Sequence, residues 1–593
     1  MRKLVPALKP YSAHFLALIV FVYIQVMTDL QLPDYMATIV NKGIVLQDNS
    51  VIRTTGLQML LVALLGAVCT IAVSYLASRI ATGFSTAVRE QVFTQVERFS
   101  LAEFNQFSTA SLLTRTTNDI QQMQMVLAML LRFVLMAPIM GIGGIIKATH
   151  SAPSLTWLLA LAIAIMLSVL TLVFAIGLPK FRQVQKLLDR LNLVSRQLLT
   201  GLRVIRAFHA EAREEQSFDT TNRDLTRVNL FVNRLMVFMQ PFIMLLFNIT
   251  ALAVIWFGAQ LIDREQLLIG NMIAFMQYAM QVIFAFLMVS MVFIMLPRAA
   301  VSAARVAEVL EVTPSITDPP DPKTWSNKQR KGKVEFRNVT FTYTGAEEPV
   351  LEHISFTAEP GQTTAFIGST GSGKSTLINL IPRFYDVTAG SILIDDIDIR
   401  QVKLSELYER LGYVPQKGVL FSGTIRSNIT YGAPGINEQK VQQVAHIAQA
   451  QDFIDATPDR YETAIAQNGT NVSGGQRQRL AIARALARDP DILIFDDSFS
   501  AVDFKTDAAL RAALRKNIRD KTVLIVAQRI NTILHADQII VLDKGKIVGT
   551  GTHAELLTSC QVYREIAQSQ LTDEELAAAE KKTAQHVTTS KEP

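Results

Sequence analysis

The hydrophobic pattern of the chain changes near residue 300. Before that point, apolar residues form long runs that are separated by short polar segments. Each run approaches or exceeds the roughly 20 residues that an α-helix needs to cross a bilayer. The sequence therefore predicts six transmembrane helices, at 14–36, 57–83, 126–146, 155–177, 236–262 and 272–296.

From Lys331 onward the pattern is typical of an α/β domain. Helical stretches alternate with short β-rich runs, and the runs DILIFDDS and TVLIVAQ resemble buried strands of a parallel sheet. A group of prolines before Lys331 marks a junction between the two halves. The predicted fold class is an α-helical membrane domain joined to an α/β domain. The predicted bounds are 1–300 for the membrane domain, 301–332 for the linker, 333–570 for the α/β domain and 571–593 for a polar tail.

Composition supports a membrane protein. Half of the 593 residues are hydrophobic, and only 18% are charged, below the roughly 25% that is usual for soluble domains. The two cysteines are too few for a disulfide framework. The net charge of +6 is modest, and we expect no nucleic-acid partner.

The distribution of basic residues predicts the orientation in the membrane. The segment 180–234, between the fourth and fifth apolar runs, is rich in Lys and Arg, whereas the loops on the opposite side hold few. Basic loops stay in the cytoplasm. Six spans then place both termini in the cytoplasm, and we expect a multi-pass protein of the cytoplasmic membrane.

The segment GSTGSGKST matches the phosphate-binding loop pattern and lies between a predicted strand and a predicted helix. In such loops, backbone N–H groups surround the phosphates, a lysine contacts the β- and γ-phosphates, and a hydroxyl binds Mg²⁺. Lys374 and Ser375 take these roles here, and Asp496 ends a buried strand as the expected Mg²⁺ partner. The sequence thus predicts ATP and Mg²⁺ as cofactors, with the nucleotide bound by Gly368, Ser369, Thr370, Gly371, Ser372, Gly373, Lys374, Ser375 and Thr376.

A further set of motifs identifies a family. VSGGQRQR, at residues 472–479, closely resembles the signature of ABC ATPases. FTY, YVPQ and SAVD follow one another along the chain. They match, in that order, the family's adenine-stacking aromatic residue, its Q-loop and its D-loop. FNQFSTASLLTRTTND (104–119) and TGLRVIRAF (200–208) resemble the coupling helices of the exporter branch, which dock on nucleotide-binding domains. The resemblance covers nearly the whole chain.

The resemblance implies roles for individual residues. Tyr343 would stack on adenine, and Gln416 would contact Mg²⁺ and the attacking water. Two nucleotide domains of this family pair head-to-tail, so the chain would act as one half of a dimer. The segment expected to bind the ATP of the opposite subunit is Ser473, Gly474, Gly475 and Gln476.

Three segments depart from the family pattern. Asp497 stands where a catalytic Glu is usual, and Gln528 stands where a switch His is usual. Gln467 and Asn468 replace an acidic and basic pair before the signature. Asp is one methylene shorter than Glu, so the Asp497 carboxylate would lie about 1 Å further back, and a misplacement of that size can cost roughly a hundredfold in rate. Gln528 can form hydrogen bonds, but unlike His it cannot hold a titratable charge. The pattern resembles the degenerate-site subunit of heterodimeric bacterial multidrug exporters, whose partner chain would carry the usual Glu and His.

The membrane half holds features that suit an apolar cargo. The fifth and sixth apolar runs are rich in methionine and phenylalanine, which suit an adaptable binding surface but also suit lipid contact and packing. Asp29, Asp34 and Arg132 are ionisable residues in or near the spans. For Asp29, three roles stay open: attraction of cationic cargo, a structural ion pair, or exposure to a water-filled cavity.

The function that these features predict is ATP-driven efflux of amphipathic compounds or drugs, with Asp497, Gln528 and Gln416 in the catalytic centre. The expected partners are a second exporter half, the lipid bilayer and a hydrophobic small molecule. One alternative is a homodimeric lipid flippase or peptide exporter. Another is an ATP-gated regulator or channel subunit, which a defective partner site would favour. A neighbouring reading frame with the usual Glu and His would favour the heterodimer.

Overall fold

The computed structural model describes residues 4–326, 331–500 and 503–572. The chain divides into two compact units. The helical unit comprises Met1–Val96 and Thr109–Val312, and the α/β unit comprises Glu97–Ser108 and Thr313–Pro593. The expected boundary at residue 300 therefore shifts to residue 312, because the last helix of the helical unit continues beyond it. Most of the predicted polar tail lies outside the described residues.

The chain up to residue 312 is almost entirely helical. Its α-helices are α1 Ser12–Thr38, α2 Asn49–Glu97, α3 Leu101–Gln106, α4 Thr109–Thr114, α5 Ile120–Ser151, α6 Thr156–Thr200, α7 Leu202–Ala207, α8 Glu211–Asp263 and α9 Ile269–Glu311. The π-helical segments Ile39–Ile44 and Arg115–Asp119 extend α1 and join α4 to α5. The short helix α3 belongs to the α/β unit, so the predicted coupling segment 104–119 is divided between the two units.

Within the described part of the chain, six helical stretches are long and apolar enough to cross a membrane. They contain 39 to 53 residues, which at 1.5 Å per residue corresponds to about 58 Å or more. A hydrocarbon core is about 30 Å thick, so every stretch extends well beyond it. The prediction of six membrane helices is confirmed, and the chain is a multi-pass membrane protein.

The core of the helical unit centres on α1, α5 and α9 and also takes residues from α2, α6 and α8. Leu18, Val22 and Val26 recur at helical spacing along α1 and are buried, which places one apolar stripe of α1 in this core. Phe275 and Tyr278 of α9 lie in the same core and are fully buried. Most of α2, by contrast, exposes its leucines, as expected for a surface that meets lipid or another subunit.

The α/β unit contains two main sheets. Its strands are β1 Val334–Phe341, β2 Leu351–Ala358, β3 Thr363–Gly368, β4 Ala389–Ile394, β5 Ile397–Asp398, β6 Leu411–Val414, β7 Gly423–Thr424, β8 Ala464–Ile465, β9 Ile492–Asp496, β10 Thr522–Val526, β11 Gln538–Asp543 and β12 Lys546–Gly551. Its remaining helices are α10 Lys374–Leu380, α11 Leu404–Glu409, α12 Ile425–Ile429, α13 Glu438–Ile447, α14 Gln451–Asp455, α15 Gly474–Ala487, α16 Phe504–Asn517, α17 Ile530–Ile533, α18 His553–Ser559 and α19 Gln561–Gln568.

The larger sheet positions the candidate site. Its strand order is β12-β11-β3-β10-β9-β6, and the five strands from β11 to β6 run parallel. Every residue of β9 and β10 is buried, because central parallel strands are covered on both faces. The second sheet, of order β2-β1-β4-β5, is antiparallel. The fold prediction for the second half is therefore confirmed.

A buried ion network stabilises the α/β unit. The Arg410 side chain is completely buried, donates to Asp395 and Asp491, and lies with its guanidinium 4.7 Å from the Trp325 ring centroid. Burial alone would raise the pKa of Asp395, but hydrogen bonds from Arg410 and from the backbone lower it below its ordinary value. The stabilisation from Asp395 is therefore complete above the unfolded pKa, near 3.9, and is lost as the pH falls through the folded pKa.

We expect Arg410→Met to destabilise the α/β unit by about 3–5 kcal/mol, because it leaves two carboxylates without their buried cation. Arg337→Met is the matched control, since Arg337 forms an exposed pair with Glu335 and such pairs contribute about 0–1 kcal/mol. Denaturant unfolding of the full chain measures both, followed by fluorescence in a Trp157→Phe, Trp256→Phe background, where Trp325 is the remaining tryptophan. Equal midpoints for the two variants would contradict the assigned role of Arg410.

Candidate functional site

Four adjacent parallel strands bring the predicted site residues together. The phosphate-binding loop follows β3, Gln528 follows β10, Asp496 ends β9, and Gln416 follows β6. The carboxyl ends of parallel strands meet at one edge of a sheet, and ligands of such sheets bind there. Segments that are far apart in the sequence thus form one site.

The loop between β3 and α10 has the shape of a phosphate cradle. The Lys374 ammonium donates to the carbonyl oxygens of Gly368 at 3.0 Å and Ser369 at 2.7 Å, so it lies across the mouth of the loop. Gly373 adopts φ of 94°, a conformation that favours glycine. A side chain there would also place its Cβ 2.7 Å from Leu351. Since α10 begins at Lys374, its N-terminal N–H groups and dipole are available to the phosphates.

Two oxygen-bearing side chains that the sequence predicts to bind Mg²⁺ lie together. The Ser375 hydroxyl donates to the Asp496 carboxylate at 2.9 Å. Burial raises the pKa of Asp496, and the neighbouring Asp497 raises it further, while Ser375 and Lys374 oppose the shift. A hydroxyl and a carboxylate that already meet suit a hard cation that keeps several waters. The residues therefore fit Mg²⁺, which when bound would neutralise phosphate charge.

Asp497 is the carboxylate beside the expected position of the attacking water. One of its oxygens accepts from the Gln528 amide at 2.8 Å and from the Gln416 amide at 3.3 Å. Burial raises the pKa of Asp497, and the hydrogen bond from Gln416 opposes that rise. The structure thus brings together all three residues that the sequence assigned to the catalytic centre. Their arrangement places two neutral amides, and no titratable imidazole, against the carboxylate.

The aromatic residue predicted to stack on adenine lies beside the loop. The Tyr343 and Thr376 hydroxyls are 3.0 Å apart. Tyr385 packs edge-on against Tyr343 with ring centroids 5.3 Å apart, and Asn105 of α3 donates to its hydroxyl at 3.4 Å. Sequence reasoning missed Tyr385, because no motif marks it and its contacts come from distant segments.

The signature segment forms the start of α15. Ser473 caps this helix, because its hydroxyl accepts from the Gln476 backbone at 3.2 Å while the Gln476 side chain accepts from the Ser473 backbone at 2.8 Å. Ser473 and Gly474 are exposed. Within the described residues, no hydrogen bond joins residues 473–476 to residues 368–376. The helix N-terminus is therefore open to a ligand from outside, as an anion site requires.

The D-loop is described in part. Ser500 donates its hydroxyl to the Asp497 carbonyl oxygen at 2.8 Å, and Asp503 caps α16 through the Thr506 backbone. The two residues between them lie outside the described chain. Ser500 is thus tied to the backbone of the carboxylate residue, a contact that the motif alone does not indicate.

Comparison with known proteins agrees with both units. The profile of the ABC transporter transmembrane region matches residues 15–286, and that of the ABC transporter domain matches residues 351–500. An uncharacterized ABC transporter ATP-binding protein of Mycobacterium tuberculosis is 42% identical over 95% of this chain and 97% of its own. YfiB of Bacillus subtilis, also an uncharacterized ABC transporter ATP-binding protein, is 36% identical over 96% and 98%.

Two further similar proteins are a lipid flippase and an exporter of known structure. An ATP-dependent lipid A-core flippase of Syntrophus aciditrophicus is 32% identical over 88% of this chain and 86% of its own. The structure of a bacterial Atm1-family ABC exporter with ATP bound superposes with a TM-score of 0.77, at 25% identity, over 95% of this chain and 99% of that chain.

Proposed function

This chain belongs to the ABC transporters, as an exporter half that joins a membrane domain to a nucleotide-binding domain, and from that premise we propose that it exports amphipathic small molecules. Members of this family couple ATP hydrolysis to transport and act as dimers in the bilayer. The observation that carries the proposal is the presence in one chain of six membrane helices and an ATP site. The direction of transport follows from the exporter fold of the relative with ATP bound.

We infer that the nucleotide site binds Mg-ATP but hydrolyses it slowly. Asp497 is one methylene shorter than the usual Glu, so its carboxylate lies about 1 Å further back, a shift that can cost roughly a hundredfold. The amide of Gln528, which donates to Asp497 at 2.8 Å, cannot take up a proton as an imidazole can. The exposed signature would then complete a competent site on a different partner chain.

The apolar surface of α9 supports an amphipathic cargo. Of the methionines and phenylalanines predicted to matter, Phe275 and Met288 are buried in the core. Met280, Phe284 and Met291 are exposed by 50–60% and recur at spacings of four and seven residues, which places them on one helical stripe. Flexible thioethers and aromatic rings along one stripe suit cargo of varied shape.

We infer the membrane orientation from the distribution of basic residues. The basic segment 180–234 spans the end of α6, α7 and the beginning of α8, and basic segments stay on the cytoplasmic side. The helix α7 has no buried residue, and Phe208, which follows it, is 79% exposed. We infer that this apolar tip docks on a nucleotide-binding domain in the dimer, in the cytoplasm.

We expect Lys374→Ala to weaken ATP binding at this chain by about tenfold or more, because hydrogen bonds from a charged donor contribute about 1.5–3 kcal/mol. Photolabelling of the purified dimer with an azido-ATP, followed by separation of the chains, reads out this site alone. Lys544→Ala is the control, since Lys544 is an exposed turn residue after β11. Unchanged labelling of the Lys374 variant would count against the nucleotide assignment.

A second candidate function is lipid translocation by a homodimer. It is favoured by the resemblance to the lipid A-core flippase, which shares 32% identity over most of both chains. The two candidates differ in what stimulates ATP hydrolysis. We expect amphipathic drugs to stimulate the reconstituted transporter more strongly than anionic glycolipid does; the reverse order would favour the flippase.

A further inference from the structure

Two carboxylates of α1 lie one and a half helical turns apart but differ in their partners. Asp34 is fully engaged, because the Lys147 ammonium donates to one of its oxygens at 2.6 Å and the Tyr278 hydroxyl donates to the other at 2.6 Å. For Asp29, no hydrogen bond or ion pair reaches the carboxylate from any residue in the described ranges. Asp34 is thus a structural carboxylate, whereas no residue in the described ranges compensates a charge on Asp29.

Two further oxygen acceptors near Asp29 also lack donors. Gln25 precedes Asp29 by four residues, which places the two side chains on the same face of α1. Gln25 is 4% exposed, and its side-chain oxygen is buried without a hydrogen bond in the described structure. Gln281 of α9 donates its amide to the Asp29 backbone oxygen at 3.1 Å, and its own side-chain oxygen is likewise buried and unpaired.

The helix α2 approaches the Asp29 carboxylate through Gly66, which has no side chain. A Cβ atom on Gly66 would lie 3.7 Å from one Asp29 carboxylate oxygen, in ordinary contact, and 3.0 Å from the Thr28 hydroxyl, which is tight. The helix α5 carries two cationic side chains, Arg132 and Lys147, and neither forms an ion pair with Asp29. Lys147 pairs with Asp34, and the buried Nε of Arg132 has no hydrogen-bond partner in the described structure.

We propose that Asp29, Gln25 and Gln281 form a binding site for the protonated primary amine of an amphipathic cargo molecule. Buried polar atoms without partners cost free energy, which a ligand that supplies the missing donors recovers. A primary ammonium carries three N–H donors, which matches one carboxylate and two amide oxygens. A quaternary ammonium has the charge but no donor, and an alcohol has a donor but no charge.

This site refines the proposed function, on which it rests, by naming the chemical class of the cargo. The binding of three probes with the same alkyl chain tests it: dodecylammonium, dodecyltrimethylammonium and dodecanol. The full transporter is placed in phosphatidylcholine nanodiscs, and equilibrium dialysis against empty nanodiscs removes simple partitioning into lipid. We expect wild type to bind dodecylammonium about tenfold more tightly than either other probe, as charge-assisted hydrogen bonds predict.

Variants separate the site from its surroundings. Asp29→Asn should reduce the preference for dodecylammonium by about tenfold, whereas Asp263→Asn, which removes an exposed carboxylate at the end of α8, should leave it unchanged. Gln25→Leu guards against misfolding, because it replaces an unpaired buried amide by an apolar group of similar size and should not lower stability. It should nevertheless weaken dodecylammonium binding and leave dodecanol binding unchanged.

The outcomes distinguish the site from the transport function. Equal binding of the three probes by wild type, or an unchanged preference in both Asp29→Asn and Gln25→Leu, would overturn the amine site. A preference that depends on Asp29 without any stimulation of ATP hydrolysis would support the site and contradict amphipath efflux. Stimulation by all three probes equally, unaffected by Asp29→Asn, would support efflux and overturn the amine site.

Discussion

Gly475→Glu is expected to reduce ATP hydrolysis by the dimer about a hundredfold, which corresponds to roughly 2.7 kcal/mol of barrier. The start of α15 is exposed and capped by its own Ser473 and Gln476. A carboxylate placed there would repel the γ-phosphate that the proposed arrangement brings from the opposite subunit, because both are anions at a helix N-terminus. ATP bound to this chain's own loop should remain, since residue 475 does not touch it.

A second signature variant needs a matched control. Ser473→Ala removes the hydroxyl that the resemblance assigns to γ-phosphate binding, but it also removes a helix cap, at about 1 kcal/mol of stability. Thr552→Ala removes the same kind of cap from α18, where Thr552 and Glu555 form an equivalent pair. Steady-state ATPase should fall for Ser473→Ala and not for Thr552→Ala. Near-wild-type turnover by both signature variants would show that the site is not shared between subunits.

The parts of the site that depend on local sequence could be predicted. The loop GSTGSGKST requires glycines for its turn, and it directly joins β3 to α10, so its place between a strand and a helix is predictable from nine residues. The position of Asp496 is predictable for a similar reason, since a carboxylate that ends a run of buried residues such as β9 lies at the end of its strand. The six membrane helices follow from length and hydropathy alone.

The parts that depend on distant contacts could not be predicted. Asp29 and Asp34 look equivalent in the sequence, because both are acidic residues in or near one apolar run. Their difference arises from Lys147 and Tyr278, which are 113 and 244 positions away from Asp34. Arg410 likewise shows nothing in the sequence of its pairing with Asp395 and Asp491. Side chains that meet only through tertiary packing leave no local pattern.

The proposed slow site leads to the most discriminating experiment, single-turnover hydrolysis with each site of the purified dimer disabled in turn. Asp543→Asn is its control, because Asp543 ends β11, in the same sheet, and carries no assigned role. It should leave both sites unchanged. With otherwise wild-type chains, we expect fast single-turnover hydrolysis at the ATP site built on the partner's phosphate-binding loop. We expect slow hydrolysis at the ATP site built on this chain's loop, which includes Lys374.

Asp497→Asn should lower the steady-state ATPase of the dimer by less than about twofold, because a carboxylate misplaced by about 1 Å has already lost most of its effect. The corresponding Glu→Gln change in the partner should lower it about a hundredfold or more, roughly 3 kcal/mol of barrier. Asp497→Glu combined with Gln528→His should partly restore hydrolysis here, because the longer carboxylate reaches forward and the imidazole replaces the amide that now donates to Asp497 at 2.8 Å. Equal single-turnover rates at the two wild-type sites would contradict the slow site and favour the homodimer.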